Sequence, residues 1–147
     1  MMKDTFEIRI HGRGGQGAKT AAHILATSAL NDNYHIQAFP EFGPERGGAP
    51  VKAFLRISKS PILEHDSIKE PDLVAGIDPY FIQNKELVLE GLSKDKKLIL
   101  NTNKTPDQIA MELNFKGEIY TVEATKLSVG CLGRNMPNTP MLGTIAK

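Results

Sequence analysis

Gly12-Arg13-Gly14-Gly15-Gln16-Gly17-Ala18-Lys19-Thr20 connects the strand-like run Phe6 to Ile10 with a long alanine-rich helical pattern. Strand, glycine turn and helix N-terminus, in this order, form the opening unit of an α/β sheet. Gly12, Gly14 and Gly17 satisfy G-x-G-x-x-G, a spacing that allows a tight turn, lets backbone approach an anion and packs the helix closely on its strand. The unpaired amides of the helix's first turn would face that anion. Gly12, Arg13, Gly14, Gly15, Gln16 and Gly17 are therefore the candidate cofactor-binding residues.

The letters narrow the ligand. A mononucleotide P-loop has Lys directly after its last Gly, whereas Ala18 separates Gly17 from Lys19, which argues against a kinase or NTPase. A dinucleotide site needs an acid about 20 residues on, at the end of the second strand, to hold the ribose hydroxyls. The second strand candidate, Tyr34 to Phe39, carries Gln37 and no acid, and Glu41 lies beyond Pro40. A dinucleotide stays open without that support, beside the alternative that the glycines serve only close helix-on-strand packing.

With 147 residues, 40% of them hydrophobic, residues 1–147 make a single domain with one buried core. A net charge of +1 with acids and bases interspersed gives no electrostatic footprint for nucleic acid or an anionic membrane surface. No stretch approaches the roughly 20 apolar residues of a membrane span, and no signal-like run opens the chain, so a soluble cytoplasmic protein is expected. Cys131 is the single cysteine and can form neither an internal disulfide nor a multi-thiolate cage for zinc or an iron–sulfur cluster. Set among Val129, Gly130 and Leu132, it reads as a small buried hydrophobe. The four histidines share no spacing, and no metal site is expected.

Along the chain, Phe6, Ile8 and Ile10 alternate with Glu7 and Arg9, a half-buried strand whose second face needs a polar cover. Ala18 to Leu30 puts Ala18, Ala21, Ala22, Leu25, Ala26 and Ala29 on one helical stripe, with His23 on the solvated side. Val51 to Ile57 alternates cleanly, with Val51, Ala53, Leu55 and Ile57 expected inward; it follows its predecessor without a crossover helix, so the pair is expected to be antiparallel. Thereafter strands at Asp72 to Ile77, Lys97 to Asn101 and Gly117 to Val122 alternate with helices at Pro79 to Leu92 and Thr105 to Leu113. The fold class is α/β: a Rossmann-like, mostly parallel sheet with flanking helices and one antiparallel strand pair. Asp78 and Asn101 sit just past strand ends, where such sheets place their ligand crevice. Near the end, Asn138 or Thr139 reads as the cap of a last helix with Pro140 in its first turn.

Phe39 to Pro50 packs three prolines, three glycines and two phenylalanines into twelve positions, neither helix nor regular strand. Linkers rarely contain aromatics and an Arg between glycines, so an ordered loop touching a ligand or partner is favoured over a merely rigid one. Phe42, Glu45, Arg46, Gly47 and Gly48 are the candidate interface residues, with Arg46 as the carboxylate or anion contact.

Three pieces together, GRGGQGAKT, FPEFGPERGGAPVKAFLRIS and PDLVAGIDP with NTPMLG far downstream, resemble the gamma subunit, or gamma domain, of the 2-oxoacid:ferredoxin oxidoreductases. FGPERGGAPV is most similar to the pyruvate branch, with 2-oxoisovalerate second. The resemblance covers nearly the whole chain, and it implies that members run on past Lys147, so the last helix is expected to be cut short. It also implies oxidative decarboxylation of a 2-oxoacid to an acyl-coenzyme A with reduction of ferredoxin. Thiamine diphosphate and iron–sulfur clusters would then lie on alpha-, beta- and delta-type companion subunits, because this sequence has neither a GDG…NN pattern nor a cysteine cluster. The chain would hold no cofactor alone, have no catalytic residue of its own, and serve assembly and the approach of coenzyme A. A free-standing NAD or FAD oxidoreductase domain and a small-ligand regulatory domain are the competing readings.

Overall fold

The computed structural model describes residues 4–41 and 47–147. Phe42, Glu45 and Arg46 lie outside the described residues. The elements are β1 (Thr5–Arg13), α1 (Ala18–Asn31), β2 (His35–Pro40), β3 (Pro50–Ser58), β4 (Leu73–Gly76), α2 (Tyr80–Gln83), α3 (Lys85–Leu89), β5 (Lys97–Asn101), α4 (Pro106–Leu113), β6 (Glu118–Val122), α5 (Ala124–Leu132) and α6 (Asn138–Ala146). One six-stranded sheet has the order β2-β3-β1-β4-β5-β6. The pairs β1·β4, β4·β5 and β5·β6 are parallel, while β3 runs antiparallel to both β2 and β1.

The expected α/β class holds, and β3 is the antiparallel strand that the missing crossover helix implied. Its position is the new fact. By sliding between β1 and β2, β3 parts two strands that a dinucleotide fold keeps adjacent.

Alternation along the strands sends two sets of side chains to two faces. Ile8, Ile10, Ala53, Leu55, Leu73, Ala75 and Ile99 meet the alanine stripe of α1, Ala124 of α5 and Met141 of α6. Val74, Leu98 and Leu100 meet Phe81, Ile82, Val88, Ile109 and Leu113 from α2, α3 and α4. Burying each large aliphatic side chain contributes about 1.5–3 kcal/mol, and the two layers bury β1 and β4 on both sides. Small residues at Ala18, Ala21, Ala22 and Ala26 let α1 approach the sheet; a Cβ added at Gly12 would lie 3.1 Å from that of Ala18.

The polar cover expected for β1 is a set of buried, paired charges. Arg56 is 2% exposed, and its Nε donates to Glu7 Oε1 at 2.8 Å while its Nη1 donates to Gln37 Oε1 at 2.8 Å. Arg9 donates through Nε to His11 Nε2 at 2.9 Å and through Nη2 to the carbonyls of Val88 and Glu90. Phe54 and Arg56 are thus buried opposite Ala53 and Leu55, so β3 is covered on both faces and not only on its Val51/Leu55 side.

Three local expectations are corrected. The helix expected from Pro79 to Leu92 breaks at Asn84, whose φ of −113° and ψ of 55° leave the helical region while its side chain donates to the Tyr80 carbonyl. The helix α5 has no apolar stripe, which is why its pattern is silent in sequence. It rests on the core through Ala124 and Ser128 alone, so Cys131 is exposed instead of buried. At α6 the N-cap is Pro137, and Asn138 turns its side chain to another helix.

Candidate functional site

The crevice of an open α/β sheet lies beyond the carboxyl ends of its strands, where the connections diverge to opposite sides. Here that point falls between β1, which leads into α1 and away to β2, and β4, which leads on to β5. The glycine loop leaves β1 at this place, and Asp78 follows β4.

The loop is held largely by its own side chains and neighbours. Gln16 Oε1 accepts the Arg13 amide at 2.7 Å, and Gln16 Nε2 donates to Asp78 Oδ2. The Gln16 amide donates to the Arg13 carbonyl at 3.0 Å, and the Gly14 amide to the Ala49 carbonyl at 2.8 Å. Three loop amides that the glycine motif would offer to an anion are therefore engaged inside the protein. Gly15, with φ +90°, is exposed and has nothing within 4 Å of an added Cβ. Gly17 is the N-cap of α1 at φ +82°, and no side chain caps that helix. Any side chain at Gly17 would collide with Asn138.

Arg13 is exposed but tethered. Its Nε donates to the Gly48 carbonyl at 2.7 Å, and its guanidinium carbon lies 5.6 Å from the centroid of the Tyr80 ring. The Tyr80 amide donates to Asp78 Oδ1 at 2.8 Å. Both carboxylate oxygens of Asp78 are thus committed, one to the glycine loop and one to the start of α2. Asn101, the other residue expected to face the crevice, is also committed: its Nδ2 donates to the Ile77 carbonyl and to Thr125 Oγ1, each at 2.8 Å. It ties β4, β5 and α5 beside a cleft of about 640 Å³ whose Lys104 and Lys126 pair with Glu112 and Glu123.

Beneath the loop, His11 is 1% exposed with its ring edge on Phe81, the centroids 5.4 Å apart. Burial, reinforced by the neighbouring Arg9 and Lys52 charges, pulls its imidazole down from the usual 6.5 to about 3. His11 is a neutral acceptor for Arg9. Among the described residues, no three His, Cys, Asp or Glu side chains gather as metal ligands.

The pieces read separately in sequence therefore meet at one place: Gly12 to Gly17, the Gly48-Ala49 backbone, Asp78 of PDLVAGIDP and Asn138 of NTPMLG. Of the expected interface residues, Gly47 is exposed and Gly48 receives Arg13. Sequence reasoning missed Tyr80 and the contact of Asn138 with Gly17; a Tyr directly after a strand-ending Asp-Pro was the available signal for the first.

Comparison with known proteins follows the same line. The family profile described as pyruvate ferredoxin/flavodoxin oxidoreductase matches residues 7–147. The chain is 43% identical over 145 residues to the pyruvate synthase subunit PorC of Thermotoga maritima, covering 99% of this chain and 74% of that protein. It is 45% identical over 142 residues to the pyruvate/ketoisovalerate oxidoreductases common subunit gamma of Pyrococcus abyssi, covering 96% and 76%. The crystal structure of the Thermotoga maritima pyruvate oxidoreductase subunit PORC superposes with a TM-score of 0.85 at 42% identity, covering 97% of this chain and 75% of that one. A 2-oxoglutarate:ferredoxin oxidoreductase from Magnetococcus marinus shares the fold, with a TM-score of 0.67 at 17% identity over 87% of this chain and 21% of its own. None of these supports a free-standing NAD or FAD domain. With matched family residues spanning nearly its whole length, the chain belongs to the pyruvate ferredoxin/flavodoxin oxidoreductase family, on its gamma-subunit branch.

Proposed function

We propose that this gamma subunit has no catalytic residue of its own and serves two purposes in a 2-oxoacid:ferredoxin oxidoreductase: assembly, and framing the approach of coenzyme A. Thiamine diphosphate and the iron–sulfur clusters are assigned to alpha-, beta- and delta-type companions, since this sequence has neither a GDG…NN pattern nor a cysteine cluster. Ferredoxin is the acceptor of the whole complex.

One observation supports the coenzyme A reading above the others: Arg13 is exposed at the strand-end crevice while two other segments hold it in place. Its Nε is committed, which among the described residues leaves the terminal nitrogens as donors for a phosphate, beside the exposed Gly15 and the uncapped first turn of α1. A helix N-terminus adds only about 0.3–1 kcal/mol for an exposed charge, so companion subunits must supply the rest of the affinity. The 2-oxoglutarate enzyme that shares the fold is described with coenzyme A and succinyl-CoA bound. In the reconstituted complex, Arg13→Ala raises KM for coenzyme A by about tenfold, as expected for a lost charged hydrogen bond, and spares coenzyme-A-independent decarboxylation of the 2-oxoacid. Unchanged coenzyme A kinetics together with impaired assembly would assign the glycines to packing.

The assembly role rests on the loop that holds Phe42, Glu45, Arg46, Gly47 and Gly48, whose aromatic and Arg residues suit a subunit interface. Arg46→Ala is expected to weaken co-purification with the companion subunits, and assembly at unchanged affinity would remove the loop from that role.

A further inference from the structure

We propose that Tyr80 is a positioning residue for Arg13, holding its guanidinium in the pose that receives the anion; this rests on the reading of Arg13 as the anion contact. An exposed arginine ordinarily samples many rotamers, and both its affinity and its selectivity suffer when a ligand must freeze it. Here two contacts restrict it from different sides. Gly48, in the segment before β3, takes Nε at 2.7 Å, and the Tyr80 ring stands 5.6 Å from the guanidinium carbon. The first fixes the fork's inner edge, and the second gives the cation an aromatic face.

The Tyr80 ring is itself anchored. Its backbone amide donates to Asp78 Oδ1, and its ring meets Phe81 edge-to-face with centroids 5.3 Å apart and planes at 86°. Phe81 is fully buried and in turn contacts His11 of β1. A chain of contacts therefore runs from the core through Phe81 to Tyr80 and out to Arg13. The other oxygen of Asp78 binds Gln16, whose Oε1 holds the Arg13 amide, so one carboxylate positions both the backbone that carries Arg13 and the ring that supports it. A leucine at position 80 would lose the edge-to-face contact with Phe81 as well as the face offered to Arg13, so the part played through the arginine is the part that disappears when Arg13 is absent.

The test measures steady-state kinetics of the assembled enzyme with coenzyme A as the varied substrate, together with its melting temperature. Tyr80→Leu is expected to raise KM for coenzyme A roughly two- to fivefold, the range of an exposed cation–π contact, with the change falling on KM more than on kcat. Tyr80→Phe keeps the ring and is expected to restore the wild-type value. In an Arg13→Ala background, Tyr80→Leu should add nothing, because the ring acts only through the arginine. If Arg13→Ala raises KM and Tyr80→Leu does not, the positioning role is refuted while the anion reading stands. If Arg13→Ala itself leaves KM unchanged, the anion reading fails and takes the positioning role with it. A rise that persists in the Arg13→Ala background would likewise overturn the proposal.

Discussion

Gln16 donates through Nε2 to Oδ2 of Asp78, 62 positions further along the chain. The bond spans the point where the connections of the sheet diverge, from the glycine turn after β1 to the residue that follows β4. A glycine motif that reads as a ligand cradle is here first a joint between two parallel strands.

Removing the joint should cost stability. Asp78→Ala loses acceptors for Gln16 Nε2 and the Tyr80 amide and is expected to destabilise the chain by about 2 kcal/mol, given that hydrogen bonds to a charged group contribute about 1.5–3 kcal/mol. Asp78→Asn, which keeps one acceptor oxygen, should lose less. Urea unfolding of the two variants checks the order, and an Asn variant as weak as the Ala variant would contradict it.

Gly17 and Asn138 form a second testable pair. At φ +82°, Gly17→Ala costs about 1–2 kcal/mol from the left-handed backbone alone and adds a collision with the Asn138 side chain. Gly15→Ala, at φ +90° in open space, meets only the backbone cost. Combining Gly17→Ala with Asn138→Gly should recover the excess over Gly15→Ala. Strict additivity in that double-mutant cycle would mean that the two residues do not meet.

The buried Arg56–Glu7 pair predicts an asymmetric response. Arg56→Met removes one partner of a buried ion pair and is expected to destabilise by about 3–5 kcal/mol. Arg56→Met with Glu7→Leu removes both charges and should recover part of that loss. Thermal melts of the single and double variants decide between this and a pair that contributes nothing.

His11 couples stability to acid. Unfolded, its imidazole titrates near 6.5; folded, near about 3, because burial and the Arg9 charge oppose protonation. Between these values the unfolded chain takes up a proton that the native state refuses. The contribution is fully present above pH 6.5 and is lost as pH falls toward about 3, at no more than about 1.4 kcal/mol per pH unit. His11→Gln keeps an acceptor for Arg9 without titrating, so its urea midpoint should fall less between pH 6.5 and 5. Parallel profiles for the two proteins would exclude His11 as the source.

Much of this protein was legible in its residues, for local reasons. The Gly12 to Gly17 spacing, the alanine stripe of α1 and the alternation in β3 are short-range patterns, and each sets its element through backbone freedom or hydrophobic period. Side-chain proportions alone also excluded a thiolate cage. What the tertiary structure decided was long-range: that β3 lies between β1 and β2, that Arg9 and Arg56 are buried among partners, that Cys131 faces outward, and that Arg13, Gln16, Asp78, Tyr80 and Asn138 share one place. Strand order depends on the summed burial of whole faces, and a buried charge depends on partners dozens of residues away, so neither leaves a signature within a window of neighbouring letters. Asn138 makes the point at a single residue: in sequence it reads as the cap of its own helix, and in the fold it lies against the glycine that starts another.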